Sequence, residues 1–214
     1  MKRFLQIGFV TAGWFFASGG LQAQAAKPLF DEAFSSAKLG EVPDSFMVLD
    51  GQFAVREEEG NRFLELPGAP LESFGVLFGP NESEGVEVTA RILSTKSGRK
   101  FPTFAVGLNG VGGYKVRMAP AKNALELVKG DDVKASVPFK WTSGQWTVFR
   151  LSVRKSGAGV RILAKAWQGA DEPKEAQLQH DESEKLPPGK AGVWGMPFSG
   201  TPIRFDDLKI TAAP

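Results

Sequence analysis

Two sets of residues in this 214-residue chain have types and spacings that could do chemistry. The first is aromatic. Trp141 sits between Lys140 and a Thr-Ser-Gly turn, Trp167 shares a strand face with Arg161 and Lys165, and Trp194 falls out of register with Ala191 and Val193. Flat indole faces stack on the axial C–H groups of sugars, with a few fixed polar groups setting orientation. The three are therefore candidate stacking platforms, provided at least two share a concavity; the competing reading is rim packing under loops, since tryptophan is mostly buried. Trp146, at the start of a strand, and Tyr114, in register with Val116 and Met118, read as core.

The second set is cationic. Lys115 and Arg117, Arg150 and Arg154, and Arg161 and Lys165 alternate with apolar positions on three strong strands, and Lys96, Arg99 and Lys100 precede them in a loop. If those strands are neighbours, the stripe suits uronate or sulfate groups, because guanidinium pairs bidentately with planar oxyanions. The plain alternative is a solvated face that discourages aggregation.

Other chemistry is excluded by what the chain lacks. It has no cysteine, so disulfide scaffolds, thiolate zinc sites, iron–sulfur clusters and thiol catalysis are out. Its lone His180 excludes a His-rich metal site and leaves little room for a Ser/His pair. The formal charge of +2 comes entirely from Lys2 and Arg3, so the chain beyond residue 25 is neutral. Neither nucleic acid nor an anionic membrane is an expected partner of a neutral chain.

Those two basic residues open a processing signal. An apolar stretch from Phe4 to Ala17 follows, then small and polar residues, then Ala23-Gln24-Ala25 as an A-x-A cleavage pattern. Ser18-Gly19-Gly20 interrupts the run before the ~20 apolar residues a spanning helix needs. Residues 1–25 are thus expected to be a signal peptide and 26–214 an exported single domain, periplasmic or extracellular, with no membrane insertion after cleavage.

The elements that must position these side chains are strands throughout. Val86-Val88-Ala90-Ile92, Phe104-Val106-Leu108, Phe149-Leu151-Val153 and Val160-Ile162-Ala164-Ala166 each place one apolar set on a single face. Asn109-Gly110, Lys129-Gly130-Asp131, Ser143-Gly144 and Ser156-Gly157 supply turns, and Asp50-Gly51 predicts a hairpin within Phe46 to Arg56. Gln168 to Gly189 reads as a long connection with at most one short strand. About a dozen strands imply an all-β, two-sheet antiparallel sandwich.

The C-terminal third carries a family resemblance. Gly144-Gln145-Trp146, Val160 to Trp167, Gly192-Val193 and Phe205-Asp206-Asp207-Leu208-Lys209-Ile210 come in the order found in secreted domains of the concanavalin A-like lectin/glucanase superfamily, laminin-G-like jelly rolls of bacterial type. Leu29 to Phe34 and Val48 to Val55 resemble how such domains begin. The resemblance implies a concanavalin A-like jelly roll with both termini paired on one sheet. It also implies a partner class, a polysaccharide or other glycan, anionic if the cationic stripe is the site. Asp206-Asp207 marks a change of strand parity, hence a bulge, and paired termini would bring Asp31 near it. Related sandwiches sometimes bind calcium, which makes these three weak calcium candidates; calcium takes about six to eight oxygens, so amide capping is the favoured reading and no cofactor is expected.

Retaining glycoside hydrolysis needs two carboxyl groups ~5–5.5 Å apart. The superfamily's glucanases present them as E-x-D-x-E or E-x-D-x-x-E, and no glutamate here has aspartate two residues later. Glu57-Glu58-Glu59 and Asp181-Glu182-Ser183-Glu184 read as solvated loop charges, and a pair joined only by folding, such as Glu87 with Glu126, stays open. No catalytic residue is assigned. The leading expectation is an exported, non-catalytic, lectin-like carbohydrate-binding module. The alternatives are a glycoside hydrolase or lyase of the same fold using scattered carboxylates, and a structural or protein-interaction domain of the cell envelope.

Overall fold

Alternate positions along Val86–Ser94, Tyr114–Ala119, Thr147–Ser156 and Gly159–Gln168 turn inward and lose their exposure, and this period fixes the architecture. The computed structural model describes residues 27–68 and 72–213, so the expected signal peptide lies outside the described residues. One antiparallel sheet has eight strands. It runs β13 (Leu178–Glu182), β12 (Gly159–Gln168), β11 (Thr147–Ser156), β6 (Val86–Ser94), β15 (Ile203–Ala212), β4 (Asn61–Leu66) and β3 (Ala54–Glu58), with β1 (Phe30–Glu32) beside the end of β15. The other has seven: β10 (Asp132–Pro138), β9 (Ala124–Lys129), β8 (Tyr114–Ala119), β7 (Thr103–Gly107), β14 (Gly189–Met196), β5 (Phe74–Glu82) and β2 (Phe46–Asp50). The only helical element among the described residues is the single 3-10 turn Pro120–Lys122, and none of its helices is long and apolar enough to cross a membrane.

The two inner faces share one core. Val88, Ala90, Ile92, Phe149, Leu151, Ile162 and Phe205 from one sheet meet Val76, Phe78, Phe104, Val106, Val116 and Leu127 from the other, all buried. Phe104 meets Phe149 edge-on across the gap, with centroids 5.8 Å apart and planes at 86°. Burial of these faces, at ~25 cal/mol per Å², is the main stabilising term. β11 and β12 pair without interruption from Thr147↔Gln168 to Ser156↔Gly159, which places the outward side chains of both strands side by side.

The termini pair on the eight-stranded sheet, Phe30 opposite Ile210 and Asp31 opposite Lys209. The register of β15 shifts between Asp206 and Lys209, where Asp207 takes φ 48°, the bulge that the parity change foretold. One expectation fails. Asp50-Gly51 is a passage between the sheets rather than a hairpin, because β2 pairs β5 while β3 pairs β4. Phe46 and Val55 pack on the same core from opposite sheets, which the two segments could not do if paired together.

Near the open edge a polar bridge ties the sheets. Tyr114, fully buried, donates from its hydroxyl to Glu182 Oε2 at 2.7 Å, and Lys129 Nζ reaches the same oxygen at 2.8 Å. Burial, and then the Glu182 bond, raises the Tyr114 phenol above its ordinary range. Hydrogen bonds from Lys129 and Tyr114 hold the Glu182 carboxyl below its own. A carboxyl lowered by folding contributes fully above its unfolded value, about 4.3, and the contribution fades as pH falls through the folded one. Tyr114→Phe is therefore expected to cost about 1 kcal/mol in urea denaturation at neutral pH. The gap from the parent should narrow in acid as Glu182 protonates.

Candidate functional site

Outward positions of the seven-stranded sheet form two rows across neighbouring strands. Strand pairing aligns Met47, Leu77, Gly192, Gly107, Lys115 and Val128 in one row. It aligns Gly75, Trp194, Ala105, Arg117 and Glu126 in the next. The small residues cut a groove of about 480 Å³ whose lining includes Leu49, Val111, Lys115, Arg117, Trp194 and Met196.

Three glycines let the Trp194 ring lie against the sheet. A Cβ on Gly75 would stand 2.7 Å from the indole Cδ1 and Nε1, one on Gly107 2.7 Å from Cζ3, and one on Gly192 2.6 Å from Cη2. Contacts that short are repulsive, so side chains at these positions would lift the ring away. Leu77 and Ala105 pack with Trp194 as a small cluster separate from the main core. The Lys115 ammonium stands 4.6 Å from the ring centroid and donates to the Val111 carbonyl at 2.8 Å, which leaves the indole only 7% exposed.

Electrostatics stiffen one side of the groove. Arg117 donates to Glu126 Oε2 through Nε at 2.9 Å and Nη2 at 2.5 Å, and Lys122 donates to Oε1 at 3.0 Å. Burial would raise the Glu126 carboxyl, but the bonds from Lys122 and Arg117 outweigh it and hold it low. Lys115 lacks such a carboxylate contact; burial, and then Arg117, pushes its ammonium below the ordinary lysine range.

The remaining expected residues lie elsewhere. Trp141 faces inward, edge-on to Phe104 at 6.0 Å, and belongs to the core margin. Trp167 lies on the outer face of the eight-stranded sheet, under the Arg150 guanidinium at 5.8 Å, and Arg161 and Lys165 share that face. No two of the three indoles share a concavity. The cationic stripe also divides: β8, with Lys115 and Arg117, belongs to one sheet, whereas β11 and β12 belong to the other. Trp146 is half-buried beneath Arg91 at 4.9 Å rather than core. The glycines and Leu77 went unnoticed in sequence, and Glu126 was weighed only as a partner of Glu87, because their association is purely spatial.

The aspartates act within the fold. Asp31 pairs with Lys209 at 2.9 Å, and Arg91 reaches Asp206 at 2.9 Å and Asp207 at 2.6 Å. Asp206 also accepts from Asn61 and from the Asp207 amide, the capping role. No group of three or more metal-ligating side chains occurs among the described residues. Glu87 and Glu126 sit on different sheets, on their opposite outer faces, and so cannot act as a pair. The two carboxylates that line the groove, Asp50 and Asp131, stand at its opposite ends, Asp50 on β2 and Asp131 in the turn after β9.

No family model and no curated protein matches this sequence. Solved structures do. The carbohydrate binding module CBM66 from Bacillus subtilis superposes with TM-score 0.56 at 11% identity, over 78% of this chain and 96% of that one. The metal-free carbohydrate recognition domain of Emp46p gives 0.57 at 13%, over 81% and 93%. A GH131 β-glucanase catalytic domain from Podospora anserina gives 0.55 at 11%, over 88% and 97%. The fold is the concanavalin A-like β-sandwich, a jelly roll found here in glycan-binding and glucan-cleaving proteins alike. Fold alone does not choose between those roles.

Gly75→Ala tests the seating of the ring. It is expected to expose Trp194, seen as red-shifted emission and stronger acrylamide quenching with unchanged far-ultraviolet dichroism. The difference should vanish in a Trp194→Phe background.

Proposed function

We propose that the chain is an exported, non-catalytic carbohydrate-binding domain whose contact surface is the groove on the seven-stranded sheet. The observation that carries this reading is the Trp194 indole laid flat over Gly75, Gly107 and Gly192, with the Lys115 ammonium over it and the clamped Arg117 guanidinium beside it. A sugar ring needs an apolar platform with polar groups at its edge. Trp194, Ala105 and Met196 supply the platform; Lys115 and Arg117 supply donors. The cation–π contact that covers the ring is worth about 1 kcal/mol, small enough for a sugar's apolar face to displace. The freed Lys115 ammonium then donates to ligand hydroxyls, while Arg117, clamped by Glu126, keeps its position. The separation of the lining carboxylates supports binding over cleavage. The resemblance of this fold to glycan-binding domains agrees with the same reading, and the amino-terminal pattern supports export.

A protein ligand is the second reading, favoured by Met47, Leu49, Val111 and Val133, which are exposed apolar side chains on or beside this face. Affinity electrophoresis of residues 26–214 through gels containing glucan, xylan, mannan or fructan separates the two. At least one gel is expected to retard the parent, with retardation lost in Trp194→Ala at unchanged melting temperature. Free migration in every gel, or retardation that survives Trp194→Ala, would contradict the proposal.

A further inference from the structure

The opposite outer face holds a charge arrangement that the fold itself does not need. On the eight-stranded sheet Arg150 stands directly opposite Lys165, and Arg154 directly opposite Arg161. Like charges in such register destabilise a sheet. Part of this repulsion is relieved. Glu172, on the connection after β12, reaches Arg150 at 3.0 Å and Lys165 at 3.2 Å, and Asp181 reaches Arg161 at 2.6 Å. Arg154 forms no ion pair among the described residues, and its Nε is buried without a hydrogen-bond partner. An unmet buried donor is destabilising.

Arg150, Arg154, Arg161 and Lys165 line one polar cleft of about 600 Å³, together with Lys155, Lys174, Glu175 and Gln179. Lys165 donates to the carbonyls of Pro173 and Lys174, which fixes the connection as one wall. Between the two cation pairs the floor is Ser152 and Leu163, and Glu87 on β6 lies opposite Ser152. Glu87 is the acceptor at the centre, 3.4 Å from Arg150 Nε. The cation pairs are four residues apart along β11, about 13 Å. No single small anion spans that distance.

We infer that this cleft binds an acidic polysaccharide, seating carboxylate or sulfate groups at Arg150/Lys165 and at Arg154/Arg161, with a hydroxyl-bearing residue donating to Glu87 between them. Guanidinium supplies the bidentate oxyanion contact. The central carboxylate selects against a phosphodiester chain, whose closely spaced charges would fall beside it. The site lies on the sheet opposite the Trp194 groove and stands independently of that groove's role.

The test is calorimetric titration of residues 26–214 with hyaluronan oligosaccharides, chondroitin sulfate, neutral dextran and single-stranded DNA of matched charge. One or both acidic glycans are expected to bind and the other two not; hyaluronan binding assigns the carboxylate, chondroitin sulfate alone the sulfate. The double variant Arg154→Gln/Arg161→Gln is expected to lose roughly tenfold or more in affinity and to flatten the salt dependence. Trp194→Ala, and Lys38→Gln beside β3 at the far edge of the same sheet, should bind as the parent does. Binding of neither glycan, DNA binding as tight as the glycans, a double variant equal to the parent, or a loss in Trp194→Ala would each overturn the inference.

Discussion

Burial of one face of every strand against the other sheet is the constraint from which the rest follows. A side-chain period of two then obliges each intervening residue to point outward. In β11 the inward set is Phe149, Leu151 and Val153, so Arg150, Ser152 and Arg154 have no choice of direction. In β14 the inward set is Ala191, Val193 and Gly195, so Gly192, Trp194 and Met196 form the opposite face. Both outer faces are thus set by the packing of the inner ones.

Those faces differ in kind. On the seven-stranded sheet the outward residues are small or apolar around one indole, and the carboxylate Glu126 is enclosed by Arg117 and Lys122. On the eight-stranded sheet they are charged, in like pairs across β11 and β12. A charged row facing water would be unremarkable if its signs alternated, as they do where Arg204 pairs with Glu65 and Glu58. The juxtaposition of Arg154 with Arg161 is of another sort: Asp181 pairs with Arg161, whereas Arg154 forms no ion pair among the described residues.

The strands were legible in the sequence because alternation is local: a reader needs only five or six consecutive residues to see it. Sheet membership was not, because it depends on which distant strand offers the best apolar partner. Hence Phe46 to Arg56 looked like one hairpin although β2 and β3 belong to different sheets, and whether the three basic strands were neighbours stayed open until β8 fell on the other sheet. Trp194 could be singled out from its register against Val193. Its seat could not, since Gly75, Gly107 and Gly192 come together only when β5, β7 and β14 pair. The aspartate bulge was readable because the parity change lies within one strand.

The central claim is that the indole-floored groove is a glycan-binding surface. Nitrogen–proton correlation spectra of the tryptophan side chains and glycine amides, recorded during titration with cello-, xylo- and mannohexaose, test it most directly. The account expects at least one oligosaccharide to shift the Trp194 indole resonance together with the Gly75, Gly107 and Gly192 amides, leaving Trp141 unmoved. Shifts gathered on other residues, with Trp194 and its glycines silent, would contradict it.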